Sequence, residues 1–416
     1  MIDKIVLDNG VRILCEKLTH VRSCAVGVWV ESGSRHEPAE LSGISHFLEH
    51  MLFKGTATRN AGTLAEEYDA IGGQVNAFTT KEHTCFYVRT LDTHVRKAAE
   101  LLCDMFFHSV FRDEDADLER SVIIEEIGMY EDTPEDLCSE LLAGAVYRDS
   151  SLGRPILGTQ ETLKGIRHRQ LSDYARQNYT PRNTIVALSG SFSDEDVAFI
   201  KKMFSNMAEG TPPALPDAPY RPSVALRRKD IEQNHLIVAF PCPALGSPDR
   251  FTLQALNNIL GAGMSSRLFQ RVREQSGLCY TIYSYTALYL GAGLLGVYVA
   301  LNKDTERQAL SLIREELLRI REDGVTGDEL SRTKEQLKAS LLMGLESTIS
   351  RMSTLARNEM VYGRSVSVDE LVAGLEKVGR EDVRSMAQQV LDFDALSFSA
   401  VGNVAKEEDY LHILKG

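Results

Sequence analysis

Apolar and polar positions along the 416 residues switch between a period of two and a period of about 3.6, and the switches mark the elements. Near the N-terminus Ile5-Val6-Leu7 and Val11-Arg12-Ile13-Leu14 flank Asn9-Gly10, which predicts a hairpin because Asn-Gly tolerates the positive φ of a tight turn. The apolar run 24–30 predicts a strand, and 31–38 a loop. Residues 63–71 are amphipathic and stop at Gly72-Gly73. Two strands follow, 74–79 and 83–90, joined by the polar turn Thr80-Lys81-Glu82. Helical periodicity then covers about 95–108, and a further helix begins near Asp113 and continues past Met129.

This pattern recurs. Phe86-Tyr87-Val88, a helix and Leu118-Glu119-Arg120 are similar to Val297-Tyr298-Val299, a helix and Leu330-Ser331-Arg332, at a separation of 211 or 212 residues. Between the repeats, residues 208–222 hold five of the twelve prolines and show no periodicity, as a linker does. The expectation is an α+β chain of two homologous domains, 1–210 and 223–416, each an antiparallel sheet with helices on one face, joined by 211–222.

The halves differ in chemistry. Residues 43–55 predict a short helix with Ser42 as N-cap and Gly55 near its C-terminal end. On it His46 and His50 are four apart and Glu49 three from His46, so the three side chains share a face. Two imidazoles suit zinc, and a carboxylate beside them can take a proton from water; His-x-x-Glu-His is the inverse of His-Glu-x-x-His. The corresponding stretch of the second half, near 251–260, has neither His nor Glu. A third donor is expected from the helix that holds Glu119, Glu125 and Glu126. Glu119 and Glu126 share a face and Glu125 lies about 100° round, but spacing does not choose between them. Lys338 stands where Glu126 does in the first repeat, so only one half would hold a metal.

Composition narrows the class. A formal charge of -13 with no long basic run argues against nucleic-acid binding. No apolar run approaches the ~20 residues that span a bilayer. The acidic first ten residues do not resemble a signal or transit peptide, and seven cysteines without a Cys-x-x-Cys pair fit reduced thiols. A cytoplasmic protein is expected.

His46-Phe47-Leu48-Glu49-His50 with Lys54-Gly55-Thr56, Asn76-Ala77-Phe78-Thr79 with Glu82-His83-Thr84, and Glu119-Arg120-x-Val122-Ile123-x-x-Glu126 together resemble the pitrilysin and insulinase family of zinc peptidases. The length is most similar to its mitochondrial-processing-peptidase-like branch. The resemblance implies one Zn2+ per chain on His46, His50 and Glu126, with Glu49 as base and Glu119 supporting a histidine. It implies that Asn76, Ala77 and Phe78 pair with substrate backbone, and that Arg273 and Tyr280 of the second half bind substrate carbonyl oxygens. It further implies two domains facing each other around a chamber, a short or unfolded polypeptide substrate, and a homodimer. The competing expectation is an inactive or partner-dependent structural subunit of the same family.

Overall fold

A computed structural model describes residues 2–416. The described residues form two compact units, one of residues 2–128, 154–216 and 343–365, the other of 129–153, 217–342 and 366–416.

In the first unit the strands are β1 (Ile2–Val6), β2 (Arg12–Lys17), β3 (Ser23–Val30), β4 (Gln74–Thr79), β5 (Thr84–Leu91) and β6 (Thr184–Gly190). They form one sheet in the order β1-β2-β6-β3-β5-β4. Only β2 and β6 run parallel. The helices α1 (Ile44–Leu52), α2 (Ala61–Ala70), α3 (Val95–His108) and α4 (Asp113–Glu131) supply most of the core on one sheet face, where Phe47, Met51, Leu64, Leu101 and Ile123 meet Val26, Val28, Phe86 and Val88. The other face is also covered. The helix Thr348–Tyr362 sets Met352, Leu355 and Ala356 on Trp29, Cys85, Ile185 and Ala187. Gly27 leaves room for this helix, since a Cβ there would meet Met352 Sδ at 2.5 Å and push that side chain aside.

The second unit repeats the plan with β7 (Val224–Arg228), β8 (Asn234–Pro241), β9 (Cys279–Tyr289), β10 (Ala292–Leu301) and β11 (Ser397–Gly402) in the order β7-β11-β8-β10-β9, β7 and β11 being parallel. This is the order of the first sheet without β1. Helix α5 (Pro134–Val146), although it follows α4 directly, covers a face of this second sheet through Leu137, Cys138, Leu142 and Val146.

The α+β class and the duplication are therefore confirmed, and two expectations are corrected. Each sheet is mixed, and each has helices on both faces. Buried strands such as β10, apolar from end to end, are the physical signature of such double cover. The division into 1–210 and 223–416 also differs from the compact units, because 129–153 and 343–365 each pack with the other repeat's sheet. The proline-rich segment is tied down on both sides of the crossing at 216/217: Pro216 O accepts from Arg35 Nε at 3.1 Å, and Arg221 N donates to Val146 O at 2.8 Å. No described helix is long and apolar enough to cross a membrane.

Candidate metal centre

Helix α1 begins one residue later than the sequence suggests. Gly43, at φ 96°, is its N-cap, and Ser42 does not cap it. Two buried amides at the helix start are met by a side chain from outside it: Gly43 N donates to Glu37 Oε2 at 2.7 Å and Ser45 N to Glu37 Oε1 at 2.8 Å. Ile44, Phe47, Leu48 and Met51 bury against the sheet, which leaves His46, Glu49 and His50 on the remaining face.

Helix α4 brings up the carboxylates. Glu126 Oε2 lies 3.7 Å from His46 Nε2 and 3.8 Å from His50 Nε2, and the three donor atoms lie within 4.8 Å of one another. Donors on a tetrahedral zinc with bonds of about 2.0–2.1 Å sit roughly 3.3–3.5 Å apart. The two His–Glu distances are within a few tenths of an ångström of that spacing, and two imidazoles with one carboxylate is a donor set of the kind catalytic zinc takes. The residues present fit the ion. Glu125, the alternative left open by spacing, is exposed and does not join the donor cluster.

The surroundings prepare these donors. His50 Nδ1–H donates to Glu119 Oε1 at 2.9 Å, which directs Nε2 toward Glu126, and the other Glu119 oxygen pairs with Lys54. Glu119 is buried, and Lys54 sets a cation against its second oxygen. Burial, and then the neighbouring His50, lowers the His46 pKa to about 3, so the ring is neutral and available as a ligand. Its Nδ1 is buried without a hydrogen-bond partner, which leaves Nε2 as the ring atom with a polar neighbour.

Glu49 sits beside this set. Burial raises its pKa, while a hydrogen bond donated by the Thr79 hydroxyl and the charge of His50 act the other way. Thr79 ends β4, the edge strand beside β5, which carries Asn76, Ala77 and Phe78 with one backbone edge unpaired in the sheet. Glu49 and that edge are thus joined by one hydrogen bond. In the sequence Thr79 and Lys54 stand only within motifs and Glu37 within a loop; the Thr79–Glu49 and Lys54–Glu119 contacts join segments 30 and 65 residues apart, for which periodicity carries no signal, and the Glu37 contacts span only a turn into α1.

Arg273 and Tyr280 belong to the second unit. Arg273 lies in a π-helical segment, Phe269–Glu274, and its guanidinium lies 4.7 Å from the ring centre of Tyr280, which is 75% exposed at the start of β9. In that unit the helix Arg250–Gly261 takes the place of α1 without its histidines, and Lys338 pairs with Glu335.

Comparison with known proteins accords with this asymmetry. Residues 12–160 match the family model described as insulinase (peptidase family M16), and 165–337 match the peptidase M16 inactive domain. A Bacillus subtilis protein named "Uncharacterized zinc protease YmxG" is 43% identical over 97% of this chain and 100% of its own length. Two solved structures share the fold: a protease from Helicobacter pylori (TM-score 0.88, 20% identity, 97% of this chain and 99% of that one) and a peptidase M16 inactive domain from Pseudomonas fluorescens (TM-score 0.90, 19% identity, 97% and 98%). With an HFLEH helix, a converging glutamate and family matches across both repeats, this chain belongs to the insulinase family of peptidases, family M16.

Proposed function

We propose that the chain is a zinc-dependent metalloendopeptidase that cleaves short or unfolded polypeptides, with one zinc ion per chain held by His46, His50 and Glu126. The observation that carries this reading is the meeting of those three donors, from two helices about 75 residues apart in sequence, beside a fourth side chain suited to proton transfer. A bound zinc ion would supply Lewis acidity, making water more acidic and a peptide carbonyl more electrophilic.

The chain's own groups account for the rest. Glu49 accepts the proton of the attacking water and returns it to the leaving amine; a pKa raised by burial brings a carboxylate closer to the pH at which that exchange must work. The Thr79 hydroxyl holds one Glu49 oxygen, which leaves the other for the proton. Glu119 and Lys54 keep His50 in one tautomer and orientation. The free edge of β4 offers backbone donors and acceptors to an extended substrate at Asn76, Ala77 and Phe78, a mode that selects for an extended chain more than for side chains. Arg273 and Tyr280 are assigned to substrate carbonyl oxygens, where a guanidinium and a phenol can stabilise developing negative charge. A cytoplasmic homodimer is the assembly this reading favours, since one chain carries both the metal set and the Arg273/Tyr280 pair. The alternative of an inactive or partner-dependent subunit is disfavoured by the completeness of the donor set.

Cleavage of a mixed peptide library by the isolated protein, with and without chelator, tests the reading. Cleavage that stops with chelator and returns with zinc is expected; cleavage indifferent to chelator, or none by zinc-loaded protein, would contradict it. Arg273→Ala should slow turnover at unchanged metal content, and loss of zinc on that change would count against the assigned roles.

A further inference from the structure

We infer that Glu37 is a positioning residue: its carboxylate, accepting from the backbone amides that open α1, sets the orientation of the helix that carries His46, Glu49 and His50. The inference rests on the peptidase reading above.

Helix α1 has no cap of its own, because Gly43 has no side chain to give. Glu37, six residues upstream, spans the gap with one oxygen on Gly43 N and the other on Ser45 N. It is only 3% exposed. A carboxylate so buried needs its lone pairs satisfied, and the positive end of a helix is a favourable place for its charge. A local Ser or Asp cap would stabilise the helix equally well. Glu37 differs in tying the helix start to its surroundings. Its own carbonyl accepts from Arg154 Nη2 at 2.6 Å, and Ser45 Oγ is 3.0 Å from the Tyr174 hydroxyl of the helix His168–Asn178. Gly43 is held as well, since a Cβ there would meet Leu157 O at 2.5 Å. His46 and Glu49 are the third and sixth residues of α1, so a small tilt at its start displaces both side chains, and misplacement of reacting groups by about 1 Å can cost ~100-fold in rate.

The charged and titratable groups around Glu37 are Arg154 and Tyr174 from the packed segments, with Arg35 and His36 beside it in the chain. Burial raises the Glu37 pKa to about 7 against the amides of Ser45 and Gly43 and the charge of Arg154. Protonation puts a hydrogen on one oxygen and weakens the two-point grip, so the grip should loosen as pH falls through neutrality.

The test compares wild type with Glu37→Gln and Glu37→Asp by steady-state kinetics on a cleavable peptide from about pH 6 to 9, zinc content, and amide exchange of the metal-free protein. Gln turns an NH2 group toward one of the two amides. At pH 8 it is expected to keep its zinc and its KM within about twofold, to lower kcat about tenfold, and to lose the wild-type inflection of kcat near pH 7. The Gly43 and Ser45 amides should exchange at least about tenfold faster. Glu37→Asp keeps the charge but falls short of the amides; it should lower kcat while retaining an inflection, and it decides the matter should the Gln variant not fold. Wild-type kcat in the folded variants, or a fall in kcat with zinc lost in parallel and an unmoved pH profile, would overturn the positioning role. A wild type that cleaves nothing would overturn the peptidase reading instead, and unchanged amide exchange would then overturn the clamp separately.

Discussion

Glu49 and Glu119 show how two carboxylates near one metal set are given different work by their partners. Glu119 is clamped by Lys54 and His50, whereas Glu49 has only a hydroxyl and a raised pKa. Glu49→Gln should therefore retain zinc and lose about 100-fold or more in turnover, checked by metal analysis beside a peptide assay; wild-type cleavage would remove Glu49 as the base. Lys54→Ala leaves Glu119 buried without its cation and should weaken zinc binding about 10–100-fold in a competition titration with a chromophoric chelator. Acid stability can be signed in the same way. In metal-free protein, burial holds His36 and His83 near 4 and His46 near 3, against 6.5 when unfolded. The unfolded chain therefore takes up protons first, and these residues cost stability as pH falls from about 6.5 toward 4. Glu37 opposes them: with its pKa raised to about 7 from 4.5, the folded form is the more protonated between those values, so its contribution improves as pH falls through that window. Thermal melts of Glu37→Gln should thus lose Tm more steeply below pH 7 than wild type, and parallel curves would contradict this assignment.

At the scale of elements, the helices that could be placed from sequence are those whose apolar face and chemistry coincide. Helix α1 was legible because Phe47 and Met51 alternate with His46, Glu49 and His50 at helical spacing, and α3 because its apolar stripe is long. What stayed hidden is which sheet a helix meets. The stripes of α5 and of Thr348–Tyr362 say that each buries a face, and nothing in a 3.6-residue period says that α5 crosses to the second repeat's sheet while Thr348–Tyr362 crosses to the first. For the same reason the choice between Glu125 and Glu126 needed the angle at which α4 passes α1. The exchange has an energetic consequence. Met352 is fully buried and its sulfur accepts from Trp29 Nε1 at 3.2 Å, so Met352→Ala should destabilise the protein by about 2–5 kcal/mol in chemical denaturation, although it lies more than 300 residues from that strand. A loss below about 0.5 kcal/mol would mean that this helix does not stabilise the first sheet.

For the whole molecule the exchange means that the repeats are not independent domains. A fragment of residues 1–210 lacks the cover over Leu14, Trp29 and Ile185 and should aggregate more readily than the full chain; a monomeric, cooperatively folding fragment would contradict the division into units. The asymmetry of chemistry also sets a count. Among the described residues the metal-type cluster is His46, His50 and Glu126, and the second repeat offers Lys338 in the place of the glutamate. The most direct test is the zinc content per chain of dialysed, zinc-reconstituted protein, measured for wild type beside Glu126→Ala. One zinc per chain in the wild type and close to none in the variant is predicted. Equal zinc in both, or a wild type that binds none, would contradict the account.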